Sequence, residues 1–205
     1  MRIATAIVAA LALTLCAVAP ADAAKRKAKP SCAKKGSKTV VRSRHVRVYT
    51  APGVRAEGST GTGLVGCLVA NGKKTVLALK ATGESTVPGA FDNVRLAGRY
   101  VAFSTRTTDT SCKAACPPDF NPNTYSVRAY DLRRGRRVRL VNTGPVSAVA
   151  VTQNGGVAWV QGSQLVAVDG GGQRVLDTGA IGALSAEISI VSWVRDGVER
   201  FARLR

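Results

Sequence analysis

The sequence predicts an all-β protein made of about four small antiparallel units. From Thr39 onward, short β-branched runs alternate with Gly, Asn and Asp, and no helical period is sustained. A Val-small-aromatic core recurs as Val101-Ala102-Phe103, Val157-Ala158-Trp159 and Val191-Ser192-Trp193. Behind the first two comes a hairpin with a shared aspartate: VRAYDLRRGRRVRL from Val127 and LVAVDGGGQRVLD from Leu165, with Asp131 and Asp169 in equivalent places. An earlier copy, LVGCLVANGKKTVLAL from Leu64, keeps the Gly-basic-basic turn and the strand after it. Units of one small antiparallel sheet recurring every ~35–45 residues are the pattern of propeller blades. A β-sandwich is the alternative, and strand order separates the two.

The units run over residues 39–80, 91–142, 145–179 and 183–205, with an insertion at 105–124 inside the second. Each unit places one strand innermost, the Val-small-aromatic strand second and the hairpin outside. The last unit, ending VERFARLR, lacks an outer strand. Either the segment before Thr39 supplies it or the edge stays open, and an open edge invites association that Arg195, Arg200, Arg203 and Arg205 would discourage. Trp159 and Trp193 lie in the repeated strand and are expected in the core between units.

GRYVAFS from Gly98, followed by VRAYDLRRGRRVRL, resembles the TolB-type repeat of exported bacterial β-propellers. In that repeat a Gly-Arg-Tyr-aliphatic-Ala-Phe strand precedes an aromatic-Asp-Leu hairpin. The match covers one unit well and Gly155–Thr178 weakly. It departs from the family where Leu96-Ala97 stands in place of a Ser-Pro-Asp-Gly turn. The resemblance implies a propeller used as a binding scaffold, usually without chemistry of its own.

Residues 1–23 read as an export signal. Met1-Arg2 precedes an apolar run from Ile3 to Val18, and Ala21-Asp22-Ala23 supplies a small-residue site for cleavage before Ala24. The run is about 16 residues, short of the roughly 20 a spanning helix needs. No second apolar stretch of spanning length follows. The remaining chain is a comfortable size for one domain at 39–205, preceded by a basic flexible arm at 24–38 that carries seven Lys or Arg. The arm is expected to be tied down only if Cys32 is bridged.

Cleavage removes Cys16 and leaves Cys32, Cys67, Cys112 and Cys116, an even set that reads as two disulfides in an exported, oxidising setting. Cys112 and Cys116 share one loop and meet at little closure cost, which pairs Cys32 with Cys67. The net charge of +18 survives cleavage, since Arg2 and Asp22 leave together. Such a field favours anionic partners. Part of the basicity follows the Ala-, Gly-, Val- and Arg-rich composition of a GC-rich genome.

Catalytic constellations are missing. The single histidine, His45, sits among Arg42, Arg44 and Arg47 as a turn or surface residue. One histidine and oxidised cysteines leave little for a zinc site, and no cofactor is expected. The Gly-rich runs at Gly58–Gly66 and Gly170-Gly171-Gly172 lack the Gly-Lys-Ser/Thr ending and the helix of a phosphate loop, so they read as turns. Asp92, Asp109, Asp119 and Glu187 could supply a carboxylate pair for glycan cleavage, but their spacing selects no two of them.

Two features point to partners. Arg133, Arg134, Arg136, Arg137 and Arg139 flank Gly135 as Lys73 and Lys74 follow Gly72, and equivalent turns lined up along one rim would hold a polyanion. Pro117, Pro118, Phe120 and Tyr125 mark a stiffened insertion with apolar side chains available for a protein partner. The expected function is therefore an exported, non-enzymatic binding or scaffold protein of the bacterial cell envelope, contacting anionic wall polymers or glycans, or an envelope protein. Export argues against nucleic acid as the natural partner. The alternative is an extracytoplasmic enzyme acting on cell-wall carbohydrate.

Overall fold

A computed structural model describes residues 31–205 apart from 57, 82–85, 110–116 and 118–119, with no side chains described at 81 and 86–90. The signal at 1–23, the arm as far as residue 30, Cys112, Cys116, Pro118 and Asp119 lie outside the described residues. Fifteen strands are formed: β1 Lys38–Arg42, β2 Val46–Ala56, β3 Ser59–Leu68, β4 Lys74–Ala81, β5 Thr86–Ala97, β6 Tyr100–Asp109, β7 Asn123–Asp131, β8 Arg136–Thr143, β9 Val146–Val151, β10 Val157–Gln161, β11 Gln164–Asp169, β12 Gly172–Thr178, β13 Ile181–Glu187, β14 Ile190–Arg195 and β15 Val198–Arg203. They make four antiparallel sheets of consecutive strands, β1–β4, β5–β8, β9–β12 and β13–β15. Every sheet is a meander built from its own segment, so among the described residues no strand crosses between two sheets as in a β-sandwich.

The Val-small-aromatic segment is the second strand of its sheet each time, on β6, β10 and β14. Side chains alternate across a strand, so the motif sorts its residues by size. Val101 and Phe103 face back and cluster with Val46, Val48 and Leu64 of the first sheet. Ala102 faces forward, into the cluster that holds Val157 and Trp159 of the third sheet. Ala158 and Val160 likewise face forward and cluster with Val191 and Trp193 of the fourth. Large residues thus enter space left by the small residue of the preceding sheet. Trp159 is 1 % exposed and Trp193 4 %, so both tryptophans are packing elements between sheets.

The two ends of the stack are finished differently. On the outward face of the first sheet, Tyr49, Ala51, Val54, Val65 and Cys67 are buried with Cys32 packed against them. The Cys32–Cys67 disulfide forms there, as expected for an oxidising, extracytoplasmic environment. Arg47 spends its guanidinium on the same segment: Nη1 donates to Cys32 O at 2.9 Å, Nη2 to Ser37 Oγ at 3.0 Å and Nε to Thr39 Oγ1 at 2.9 Å. It also lies 4.8 Å from the Tyr49 ring centroid. Residues 31–37 are therefore pinned, and Lys38 already belongs to β1. With a sequence separation of 35 between its cysteines, the bridge stabilises by about 4 kcal/mol in the chain-entropy model.

The fourth sheet is held to the third by two carboxylates. Asp169 accepts both Arg174 guanidinium nitrogens at 2.9 Å and the Arg205 amide at 2.8 Å. Asp177 on β12 accepts the Trp193 indole N–H at 2.8 Å and pairs with Arg195 and Arg200. The indole bond first, and Arg195 after it, hold the Asp177 carboxyl down from 3.8 to about 2. Arg174 foremost holds Asp169 lower still.

One expectation is corrected. The insertion is shorter than 105–124, because the β-branched Thr105, Thr107 and Thr108 continue the ladder, pairing Thr107 with Thr124 and Thr108 with Asn123. Of the two outcomes open for the last sheet, the described part of the segment before Thr39 packs on the first sheet, and β15 has β14 as its one strand partner among the described residues.

Two outcomes are expected. Replacing Ala158 by Leu overfills the space beside Trp193 and should cost about 1–3 kcal/mol in urea unfolding. The same change at Ser192, whose face meets no further sheet, should cost less than about 1 kcal/mol. The second outcome is acid sensitivity. A carboxyl held below its unfolded value contributes stability above that value and loses it as pH falls. Urea midpoints followed by tryptophan emission should therefore be flat above pH ~4 and decline toward pH ~2, and Asp177→Asn should flatten that decline.

Candidate functional site

In a four-stranded meander the turns after the first and third strands lie at the same end. This gathers His45, Gly98-Arg99 and Gln153-Asn154 from the inner hairpins, and Lys73 and Arg133–Arg137 from the outer ones, on one rim of the stack. The Gly72 turn of the first sheet and the Gly135 turn of the second adopt positive φ at their glycines, 67° and 69°, as tight turns require. They meet side by side, with Lys73 Nζ donating to Arg133 O at 2.9 Å.

Asp131 holds the second turn in shape. Its side chain is fully buried and its Oδ1 accepts the amides of Arg133 at 3.0 Å and Arg134 at 3.2 Å. Oδ2 lies 3.2 Å from Arg99 Nε, an ion pair too poorly aligned for a hydrogen bond. Arg134 Nε stands 3.7 Å away. Arg99 in turn donates to Tyr100 Oη at 2.8 Å and covers its ring at 4.9 Å. Asp169 repeats the arrangement in the third sheet, accepting the Gly171 amide at 2.8 Å and pairing with Arg174. The equivalence of the two aspartates is structural as well as sequential.

Beside the Asp131 turn lies a groove of about 350 Å³ whose walls include Arg134, Arg136, Arg137, Arg139, Tyr100 and Asn154. A second groove of about 550 Å³ shares Tyr100 and Asn154 and extends past Arg99, Val46, Leu68 and His45. The two adjoin at Tyr100 and Asn154, one strongly basic and the other largely apolar. Gly155, at φ 87°, is needed where they meet, because a Cβ there would come within 2.9 Å of the Tyr100 ring. Asn154 is fixed across sheets by donating to Leu204 O at 2.8 Å.

The structure divides the residues expected to contact a polyanion. Arg134, Arg136, Arg137 and Arg139 line the basic groove, with Arg139 on β8 and half-buried. Arg133 contributes its carbonyl to Lys73, and Lys73 borders the Gly135 turn. Lys74 is paired with Cys67 on the ladder and so turns to the face away from the second sheet. Of the partner loop, Pro117 and Phe120 are exposed and joined by the bond from the Phe120 amide to Pro117 O. Tyr125 is a half-buried strand residue of β7, paired with Arg106 and Thr143. His45 is an exposed turn residue whose Nε2 accepts from Arg44 Nε at 2.8 Å.

Arg99, Tyr100, Asn154 and Gly155 are site residues that the sequence pattern did not single out. Arg99 and Tyr100 were visible only as part of a strand signature. Of the four carboxylates considered for glycan cleavage, Asp92 pairs with Ser104 while Asp109 lies five residues further along β6, on the other face. At strand rise that separates them by about 17 Å. Glu187 ends β13, beyond the third sheet.

Asp131→Ala should strip the Arg133 and Arg134 amides of their acceptor and cost about 2 kcal/mol in denaturant unfolding. Asp131→Asn, which retains an acceptor oxygen, should cost less. No protein-family model and no curated protein matches this sequence.

Proposed function

We propose that the protein is an exported, non-enzymatic binding or scaffold protein of the bacterial cell envelope, a propeller-like array of the TolB type that grips an anionic wall polymer or glycan along its basic rim. The observation that carries this is the junction of the two grooves at Tyr100 and Asn154. Four arginines on one side suit phosphate or carboxylate groups. The apolar stretch through Val46 and Leu68 on the other suits the carbon face of a sugar or polyol. A repeating polymer presents both chemistries at short intervals, and an open groove across several sheets admits it without end recognition. The arginines project from a turn already braced by Asp131, so little ordering is needed on binding. The disulfide and the net charge of +18 agree with an anionic extracytoplasmic partner.

Binding to an anionic wall polymer such as a teichoic-acid-type polyphosphate should weaken steeply as salt rises. Replacing Arg134, Arg136 and Arg137 by Gln should lower affinity by about tenfold or more with the fold intact. Replacing Arg55, Lys80 and Arg106, exposed at the opposite ends of their strands, should lower it less than about threefold. Equal losses from both sets, measured by calorimetry at fixed salt, would remove the localised site.

A further inference from the structure

The fourth sheet has three strands where each of the others has four, and β15 has one strand partner among the described residues. The free side of β15 has a defined phase. The Leu204 amide donates to Ser189 O at 2.8 Å, toward β14. Main-chain groups alternate along a strand, so Glu199, Phe201 and Arg203 turn their amides and carbonyls outward. The Arg203 carbonyl is touched by Arg174 Nη2 at 3.4 Å, which leaves its second lone pair open.

The side chains of the same three residues share the outward face of the sheet, opposite the face that carries Leu204. Phe201 is 77 % exposed, the most of any large apolar side chain described. Glu199 and Arg203 flank it at equal distances along the strand. This arrangement is self-complementary. When two copies of β15 run antiparallel with Phe201 opposite Phe201, each Glu199 stands opposite Arg203 of the second copy, and the two aromatic rings meet between the ion pairs. On the other face Arg200 stands opposite Ala202, so no arginine faces another.

We propose that two copies of this chain associate about a two-fold axis by antiparallel pairing of β15 with β15, in the register centred on Phe201. Among the registers centred on a hydrogen-bonded pair, charge selects that one. Shifting the centre to Glu199 or Arg203 brings like charges together, and parallel pairing sets each charged residue beside its own copy. Arg195 and Arg200 are already committed to Asp177 and do not block the approach. The Arg205 amide and carbonyl are taken by Asp169 and Gly170, so the open stretch of the edge ends at Arg203. The net charge of +18 opposes association at long range, but across a Debye length of about 8 Å at physiological salt it is screened far more than pairs in direct contact.

The test is sedimentation equilibrium of the whole chain, in the form its producing cell yields, up to about 100 µM at about 0.15 M salt. Twice the chain mass is expected. Glu199→Lys or Arg203→Glu alone turns both cross-strand pairs repulsive and should raise the dimer dissociation constant about tenfold or more. The double exchange, E199K with R203E, restores opposite charges and should restore the dimer. Phe201→Cys should give an oxidised dimer linked through residue 201, because a hydrogen-bonded antiparallel pair places Cα atoms about 5.5 Å apart. These residues are exposed, and a cooperative thermal transition confirms that each variant folds. A wild-type monomer at every concentration overturns the proposal, including one in which residues 1–30 cover the edge. A dimer indifferent to E199K overturns it as well, and so does a double exchange that stays monomeric.

Discussion

Everything in the stack depends on large side chains of one sheet entering the space beside small residues of the sheet before it. Phe103, Trp159 and Trp193 all point back along the chain, while Ala102 and Ala158 point forward to receive the next aromatic. A strand offers only two faces, and β6 and β10 bury both. Local alternation of residue size therefore becomes a rule for stacking whole sheets. The rule ends at Ser192, a small polar residue whose face meets no further sheet among the described residues.

A row of sheets stacked face to face leaves two ends that the repeat cannot satisfy. The first end is closed by a different device, a short segment fastened by a disulfide and by the three hydrogen bonds of Arg47. The far end carries Phe201 and a strand side unpaired among the described residues, while Asp169 and Asp177 hold its sheet to the body. The contrast is informative because both ends face the same cost of exposed apolar surface and unpaired main chain. One end is resolved within the chain, and the other offers complementary chemistry to a second copy.

The basic rim follows from strand parity. Alternate turns of a meander fall at one end of its sheet, so basic residues placed after the third strand of successive units must come near each other. Lys73 and the Gly135 hairpin meet for this reason. The buried Asp131 then converts a flexible arginine-rich turn into a fixed one. That stiffness distinguishes the Arg134–Arg139 wall from a diffuse positive surface.

The sequence by itself determined the four units, the second-strand position of the Val-small-aromatic segment, the hairpins carrying Asp131 and Asp169, and the pairing of Cys32 with Cys67. All of these are encoded locally, by period-2 alternation, turn residues and loop closure. It also placed the arginines near a single rim, but it did not distinguish Arg134, which lines a groove, from Lys74, which alternation turns away. Tertiary structure alone decided that Tyr100 and Asn154 join two grooves, that Asp177 receives the Trp193 indole, and that Tyr125 lies in a ladder. Those contacts join residues of different sheets, or of distant strands, and depend on how far each sheet is rotated and displaced against its neighbour. Residue spacing along one chain records faces and turns, but that rotation arises only when side chains of neighbouring sheets compete for the same volume.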